Sequence, residues 1–352
     1  MGQSEILERS RWALVGCGRH AFDAHFPAIM NIPEIELVAV CDSHEPTAKQ
    51  AKERFGASKC YTDHTDLLKD DEIDTIDVVT PSGLHARIVV DSAEAGKNVI
   101  CEKPMANDLG ECDAMIAAAR KNHVKFMVGH SRRFERKSTY IKNTVKKGTL
   151  GSLLIMKSLE VRPKDRNIMQ EHYFRSETDP LGSMLGKGGH AIDLFRWYSE
   201  SNVKKVFAVG RTTKGLIHPG SDVYDHAKAM LEFENGLVGF IEVGDVAPRA
   251  CPYYYPILEI LGTEGRINAS DYRMVAVFAS YDQNVVIPFP EQQFLSGVGS
   301  PFFEELRYFA KCVLDDVVPS YITPEDGRAV VESAVAANLS IRRGEPVSLP
   351  LP

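Results

Sequence analysis

Short apolar runs alternate with helical segments between residues 10 and 130, and this alternation limits the possible folds more than any other feature. The apolar runs are WALVG, IELVAV, IDVV, NVIC and VKFMVG, and a segment of helical pattern follows each of the first four. Strands that are apolar throughout need helices on both faces of their sheet, which is typical of parallel sheets. The sequence therefore predicts an α/β domain built on a doubly wound parallel sheet with right-handed crossovers.

The first apolar run ends in the loop GCGRHA, which matches the dinucleotide-binding pattern G-x-G-x-x-[GA] through Gly16, Gly18 and Ala21. Gly16 permits a tight turn, Gly18 lets the backbone approach a pyrophosphate, and the N-terminus of the following helix attracts the anion. This pattern predicts a Rossmann domain. The loop residues expected to contact its cofactor are Gly16, Cys17, Gly18, Arg19 and His20.

Asp42 follows the second apolar run. In dinucleotide sites an acidic residue about 20 positions after the glycine loop binds the ribose hydroxyls. A carboxylate at this place repels the 2′-phosphate of NADP, so the sequence favours NAD as the cofactor. Arg19 and His44 could accommodate that phosphate, which leaves NADP possible.

Length, charge and cysteine use limit the class of protein. The 352 residues exceed one ordinary core, so two domains are expected, a Rossmann domain at 1–130 and a second domain at 131–352. A net charge of −7 argues against nucleic-acid binding, and no apolar run approaches the roughly 20 residues of a membrane span. The seven cysteines form no C-x-x-C pair and no signal peptide is visible, so a cytoplasmic protein without a metal site is expected.

The second half of the chain changes to short strands. The hairpin signal ENG separates AKAMLEFE from LVGFIEV, and the turn GTEG separates LEIL from RINAS. Such strands predict an α+β domain with a large, mainly antiparallel open sheet that helices cover on one face. Extra apolar residues on these strands predict that the other face joins a homodimer or homotetramer. Near the end, Thr323 and Asp326 resemble a capping box of a helix that ends near Gly344.

Three strand-end segments, TPSGLH, CEKPMA and GHSRRF, together resemble the Gfo/Idh/MocA family of oxidoreductases. The resemblance runs along nearly the whole chain and includes the closing segment ITPEDGRAVVESAVAANLSIRRGEPVSLP. It implies a dehydrogenase or reductase that acts on CH–OH groups with a nicotinamide cofactor. It also implies that the final segment, 323–352, packs back toward the Rossmann domain.

The same resemblance implies roles for residues at the strand ends. Lys103 is similar to the family's catalytic lysine, and Pro104 matches a proline that often follows a cis peptide bond in relatives. Independently, a lysine at the end of a buried parallel strand faces the crevice where open α/β sheets bind ligands. The residues that the resemblance implies along the cofactor are Thr80, Pro81, His85, Glu102 and Lys103.

The stretch GSMLGKGGHAIDLFRW resembles the family's second catalytic segment, in which an Asp precedes a His by four residues and another Asp follows by three. His190 matches the histidine and Asp193 the second acid, but Gly186 stands where the family has its first acid. His190 is the expected proton-exchanging group, because imidazole titrates near neutral pH. Asp193, Lys187, Tyr173 or a water are the alternatives for the group that orients His190.

The catalytic residues would therefore be Lys103, His190 and Asp193, with Asp193 equally well explained as a structural acid. The combined expectation is an NAD(H)-dependent oxidoreductase that transfers hydride between nicotinamide and a ring carbinol or ketone of a sugar, sugar derivative or cyclitol. Three alternatives stay open: redox-assisted glycoside cleavage with transient oxidation by NAD, dehydrogenation of cyclic dihydrodiols, and a non-catalytic NAD-binding regulator. The residues expected to contact the substrate are Arg132, Tyr173, Arg175, Lys187 and His190.

Overall fold

The computed structural model describes residues 8–163, 182–212, 224–247, 257–271, 274–279, 283–288 and 297–352. The chain forms two compact units, Met1–Phe134 with Gln292–Gly327 and Glu135–Glu291 with Arg328–Pro352. The candidate substrate residues Tyr173 and Arg175 lie outside the described residues.

The first unit contains a six-stranded sheet in which all neighbouring strands run parallel. Its strands are β1 (Ser10–Val15), β2 (Ile35–Cys41), β3 (Lys59–Tyr61), β4 (Thr75–Val78), β5 (Asn98–Glu102) and β6 (Phe126–Gly129). Their order, β3-β2-β1-β4-β5-β6, reverses between β1 and β4, where open α/β sheets bind ligands beyond the carboxyl ends of the strands. The predicted doubly wound parallel sheet is confirmed, and β3 is an additional strand.

Helices connect the strands of the first unit, and further helices follow along the rest of the chain. The α-helices of the described residues are α1 (Phe26–Ile29), α2 (Glu45–Phe55), α3 (His64–Leu67), α4 (His85–Glu94), α5 (Leu109–Lys121), α6 (Arg136–Lys146), α7 (Gly189–Ser199), α8 (Pro301–Leu314) and α9 (Pro324–Arg343). The predicted capping box at α9 is confirmed, since the N–H groups of Thr323 and Asp326 each donate to the other's side chain at 3.1 and 3.2 Å. No helix among these is long and apolar enough to cross a membrane.

Aromatic rings fill the core of the first unit. Trp12 of β1 packs edge-on against Phe309 of α8 with ring centroids 6.0 Å apart, and Phe26 stacks on Phe55 at 4.3 Å. All four side chains are buried, and full burial of such a ring contributes about 1.5–3 kcal/mol. The well-packed core therefore holds β1 in place, and with it the start of the loop that follows β1.

The second unit contains a nine-stranded sheet with the order β14-β13-β12-β11-β7-β10-β9-β8-β15. Its strands are β7 (Leu153–Pro163), β8 (Val203–Arg211), β9 (His226–Phe233), β10 (Val238–Ala247), β11 (Ile257–Gly262), β12 (Gly265–Asp271), β13 (Met274–Ala279), β14 (Gln283–Pro288) and β15 (Val347–Ser348). All neighbouring pairs are antiparallel except β7 with β10. The predicted large, mainly antiparallel sheet is confirmed. One face packs on α7, where a Cβ on Gly239 would lie 2.9 Å from the ring of Phe195.

The opposite face of this sheet, which we call the outer sheet face, carries exposed apolar side chains among ion pairs. Lys228 pairs with Glu242, and Arg266 with Glu259, each at 2.9 Å. Six apolar residues on six different strands are between 40% and 57% exposed, namely Val209, Met230, Phe240, Leu261, Phe278 and Val286.

Candidate functional site

Gly16 follows the last residue of β1 and turns the chain sharply past the end of β4. Its φ is +99°, and its N–H donates to the carbonyl of Cys41 at 2.8 Å. A Cβ at this position would lie 2.6 Å from the carbonyl oxygen of Val79 and 2.9 Å from Cγ2 of Thr80. Glycine alone fits such an approach of two backbones, and a pyrophosphate-binding loop requires a backbone of this kind.

Asp42 lies just after β2, and its carboxylate accepts two backbone hydrogen bonds. Oδ2 accepts from the N–H of Cys17 and Oδ1 from the N–H of His44, both at 2.8 Å. Each carboxylate oxygen has a further lone pair, so Asp42 keeps the capacity to bind the two hydroxyls of a ribose. The glycine loop and the predicted ribose-binding acid are therefore in direct contact.

The segment after β4 contributes Thr80 and His85. The Oγ1 of Thr80 is buried and has no hydrogen-bond partner within the described part of the chain, which fits a hydroxyl that a bound cofactor satisfies. The ring nitrogens of His85 face the carbonyl oxygens of Thr80 and Pro104 at 2.8 and 2.9 Å. Burial lowers the pKa of His85, so its neutral ring donates to one of these carbonyls at a time. His85 thus links the Thr80 segment to the residues after β5, and contact of its ring with the cofactor stays a prediction.

Lys103 follows the last residue of β5. Its backbone N–H donates to Oε2 of Glu102 at 2.9 Å, and its peptide bond to Pro104 is cis, as the family resemblance implies. Because β5 is the neighbour of β4, Lys103 and Thr80 extend from adjacent strand ends. A half-buried lysine at such an edge can donate hydrogen bonds to an oxygen of a bound ligand.

Glu102 belongs to a cluster with the buried side chains of His25 and Asp77 and the half-buried side chain of His20. Nδ1 of His25 lies 2.8 Å from Oδ2 of Asp77, and Nε2 lies 3.2 Å from Oε1 of Glu102. Nε2 of His20 lies 3.1 Å from the same Glu102 oxygen. Burial opposes ionisation of Glu102, but the two histidines outweigh it and hold the pKa of Glu102 well below its usual range. Sequence reasoning missed His25 and Asp77, although an acid inside the apolar strand TIDV was an available signal.

The same cluster holds the described residues that could bind a metal ion. The ligand atoms of His20, His25 and Glu102 lie within 4.8 Å of one another. The expectation of no metal site rested on sequence spacing, which does not bring these three residues together. Their polar atoms satisfy one another by hydrogen bonds, so the cluster needs no metal to be stable.

In the second unit, His190 and Asp193 lie near the start of α7. A π-helical turn, Met184–Gly188, directly precedes the helix and contains Gly186 and Lys187. π-helical turns are rare and frequently occur at functional sites. His190 is half-buried, whereas Asp193 is only 1% exposed. The carboxylate of Asp193 is therefore shielded from water to a greater degree than the imidazole.

Arg132 and Arg133 lie together in the 3₁₀ turn Ser131–Phe134. Arg133 is buried and donates to the carbonyl of Tyr321 at 2.8 Å and to Asp326 at 3.3 Å. Arg133 therefore has a structural role, and Arg132 stays the predicted substrate-binding arginine of the pair.

Two sequence models of one family match the chain. Residues 10–130 match the oxidoreductase family with an NAD-binding Rossmann fold, and residues 139–268 match the GFO/IDH/MocA C-terminal domain. The chain belongs to the Gfo/Idh/MocA family. It is 29% identical to myo-inositol 2-dehydrogenase of Thermotoga maritima, over 96% of this chain and 98% of that protein. It is 30% identical to the uncharacterized oxidoreductase YrbE of Bacillus subtilis, over 96% of this chain and 95% of that protein.

Solved structures agree with this Gfo/Idh/MocA assignment. Levoglucosan dehydrogenase in complex with NADH and levoglucosan has a TM-score of 0.86 at 25% identity, covering 98% of this chain and 100% of that one. The resemblance inferred from the strand-end segments is confirmed. This Gfo/Idh/MocA protein is an NAD-binding oxidoreductase of the dehydrogenase class.

Replacing Asp42 with alanine is expected to weaken NAD binding about tenfold or more and to improve NADP binding relative to NAD. The change removes a charged hydrogen-bond acceptor, worth about 1.5–3 kcal/mol, together with the charge that repels a 2′-phosphate. Calorimetric titration with both cofactors measures the two dissociation constants. Asp63→Ala is the matched control, because Asp63 caps α3 in the same unit. An equal loss of NAD affinity in both variants would contradict the role given to Asp42.

Proposed function

We propose that this Gfo/Idh/MocA protein transfers hydride between NAD(H) and a ring carbinol or ketone of a sugar, sugar derivative or cyclitol. The observation that supports this is the convergence of four residues at the carboxyl ends of neighbouring strands. In sheet order, Asp42 follows β2, Gly16 follows β1, Thr80 follows β4 and Lys103 follows β5. A dinucleotide loop, a ribose-binding acid and a lysine thus share one edge of one sheet. Relatives named as myo-inositol and levoglucosan dehydrogenases support the substrate class.

The chain's own residues supply binding and proton transfer, whereas NAD, when bound, accepts or returns the hydride. Gly16 and the loop after it would bind the pyrophosphate, and Asp42 the ribose hydroxyls. In this proposal Lys103 donates a hydrogen bond to the reacting oxygen and stabilises the negative charge that develops there. His190 takes the hydroxyl proton during oxidation and returns it during reduction, with Asp193 as the proposed orienting acid.

The direct test mixes purified protein with NAD and a panel of cyclitols, pyranoses, anhydrosugars and cyclic diols, and follows the absorbance of the reduced cofactor. We expect turnover of at least one hydroxylated ring, and the reverse reaction with its ketone. Binding of NAD without turnover across the panel would contradict the proposal and favour a non-catalytic regulator. Release of an aglycone from glycosides without net formation of NADH would instead favour redox-assisted glycoside cleavage.

Gly186 is the observation that favours a cyclic diol as a second substrate class. By the sequence resemblance it stands where the family has its first acid, and as a glycine it contributes no side chain to the π-helical turn. A site without that carboxylate lacks one acceptor for the hydroxyl groups of a substrate, so a less hydroxylated ring becomes a candidate. A higher kcat/KM for a cyclic diol than for every inositol in the panel would support this class, and the opposite ranking would contradict it.

We also propose that the protein works in the cytoplasm. Burial raises the pKa of the Cys41 thiol to about 12, so this group beside the glycine loop stays protonated. A reducing compartment keeps thiols unpaired. Among the described residues no disulfide bond joins the cysteines, namely Cys17, Cys41, Cys60, Cys101, Cys112 and Cys312.

The outer sheet face is the proposed interface of a homodimer or homotetramer. Its exposed apolar side chains extend across six strands and lie among paired charges. Apolar residues surrounded by polar groups are typical of interfaces between protein chains. An apolar face of this extent is unusual on a monomer, because it would remain in contact with water.

Replacing Phe240 with glutamate is expected to convert the assembly into monomers, because it introduces an unpaired charge into an apolar contact. Size-exclusion chromatography with light scattering measures the mass of wild type and variant at equal protein concentration. Val318→Glu is the matched control, since Val318 is an apolar residue of the first unit that is 82% exposed. A monomeric wild type, or a Phe240→Glu protein that remains assembled, would contradict the proposed interface.

A further inference from the structure

Four titratable side chains, His20, His25, Asp77 and Glu102, form a cluster beside the backbone of Lys103, which we call the β4–β5 charge cluster. His25 is the last residue of a π-helical turn, Ala21–His25, that follows the glycine loop. Asp77 lies in β4 and Glu102 ends β5. Asp77 is 0% exposed and His25 only 2%, so at least two ionisable groups are placed inside the fold. Buried charges of this kind are costly unless they are paired.

Both ring nitrogens of His25 face carboxylate oxygens. Nδ1 lies 2.8 Å from Asp77 and Nε2 lies 3.2 Å from Glu102, and only the imidazolium form donates from both nitrogens. Burial acts against that charge, but Asp77 and then Glu102 outweigh it and raise the pKa of His25 to about 10. His25 is therefore a buried cation at neutral pH. Its contribution to stability is complete below the ordinary value of 6.5 and is lost as the pH rises toward about 10.

Within the described part of the chain, few other groups compensate the charge of His25. Among the described residues, the titratable groups that face it are Asp77 from β4, Glu102 from β5 and His20 from the glycine loop. The ring of Phe302 in α8 packs on His20 and His25 with centroids 5.2 and 5.4 Å away, so that side of the cluster is apolar. The second oxygen of Asp77 has no partner among the described residues. Removal of His25 would thus leave two buried carboxylates without their shared cation.

Glu102 connects this cation to the backbone of Lys103. Its Oε1 faces His25 and His20, while its Oε2 accepts the N–H of Lys103 at 2.9 Å. The Glu102 carboxylate therefore restrains the orientation of the peptide group that joins Glu102 to Lys103. A carboxylate that takes up a proton loses charge and accepts hydrogen bonds less strongly, so this contact depends on Glu102 remaining ionised.

We propose that His25 is a positioning residue that holds the Glu102 carboxylate in place through its Nε2 contact, so that Glu102 orients the peptide that leads to Lys103. The inference rests on the role proposed for Lys103 in the reaction. A displacement of about 1 Å at a reacting group can lower a rate about 10²-fold, and we expect an effect of this size without His25. The acid limb of the kcat profile should also move to higher pH, because Glu102 then keeps only His20 of its two neighbouring histidines and takes up a proton at a higher pH.

The test compares His25→Gln, Glu102→Gln and the double variant. Glutamine keeps an amide that can donate to one carboxylate but has no positive charge. We expect kcat to fall about 10²-fold in His25→Gln, and the double variant to be no slower than Glu102→Gln alone. His64→Gln is the matched control, because His64 pairs with Asp91 at 2.7 Å in the same unit, and its kcat and pH profile should not change.

A second measurement decides the inference without turnover. The backbone amide signal of Lys103 in an NMR spectrum reports its hydrogen bond to Glu102, and histidine nitrogen shifts report the protonation of His25. We expect a constant Lys103 signal and a doubly protonated His25 across neutral pH in the wild type, and a Lys103 signal that shifts with pH in His25→Gln. If no polyol is turned over but these signals behave as expected, the proposed reaction fails while the link from His25 to Lys103 stands.

Three results would overturn the inference. The first is a folded His25→Gln protein with a wild-type pH profile and an unchanged Lys103 signal. The second is a neutral His25 ring at neutral pH. The third is a stoichiometric metal ion in the purified wild-type protein that is absent from His25→Gln. A metal ion would then take the place of the proton between His25 and Glu102.

Discussion

Replacing Lys103 with methionine is expected to lower kcat by about 10²- to 10³-fold while NAD binding stays close to that of the wild type. Methionine has an unbranched side chain without an ammonium group, so it removes the hydrogen bonds and charge that the proposal assigns to Lys103. The loss appears in kcat because negative charge on the substrate oxygen develops in the transition state. Steady-state kinetics with the best substrate of the panel, and calorimetric titration with NAD, measure the two quantities.

Lys49→Met is the matched control for this prediction. Lys49 is an exposed lysine of the same unit and pairs with Glu45 at 2.7 Å, so its loss should leave kcat unchanged. Lys103→Arg keeps the charge but places its donors differently, so only part of the rate should return. A Lys103→Met protein with wild-type kcat would contradict the catalytic assignment. A loss confined to NAD affinity would assign Lys103 to cofactor binding instead.

The parallel sheet and its glycine loop could be predicted because their signals are local. An apolar strand that ends in GCGRHA is recognisable from neighbouring residues, and the sharp turn at Gly16 is present in the structure. Strand β3 could not be predicted, because its three residues, Lys59–Tyr61, are all half-buried and show no alternation. The parallel pairing of β7 with β10 in the second sheet also escapes local reasoning, since it depends on how distant segments cross.

The contacts that sequence reasoning missed at the candidate site join residues that are far apart in the sequence. His25 is 52 residues from Asp77 and 77 residues from Glu102, so no motif joins the three. The two arginines of GHSRRF are equivalent by sequence pattern. The contact of Arg133 with Asp326, which is 193 residues away, gives Arg133 a structural role. Such contacts arise only when strand order brings separate segments together.

Replacing Gly16 with alanine is expected to cost about 2–5 kcal/mol of folding free energy, through backbone strain and overpacking together. Alanine is strained at a φ of +99°, and its Cβ would lie 2.6 Å from the carbonyl oxygen of Val79. That oxygen belongs to the backbone and cannot rotate away, so the glycine loop must move from the end of β4. We expect NAD binding to weaken about 10²-fold, the loss of one or two charge-assisted hydrogen bonds to the pyrophosphate.

The Gly56→Ala variant separates the cost of backbone strain from the cost of a steric collision at Cβ. Gly56 caps the C-terminus of α2 with a φ of +72°, and nothing in the described part of the chain lies within 4 Å of where its Cβ would be. Alanine at Gly56 should therefore cost about 1–2 kcal/mol and leave NAD affinity unchanged. Urea denaturation and titration with NAD, applied to both variants, measure both effects. If Gly16→Ala proved as stable as Gly56→Ala and bound NAD equally well, the close approach of the loop to Val79 would not be what the NAD site depends on.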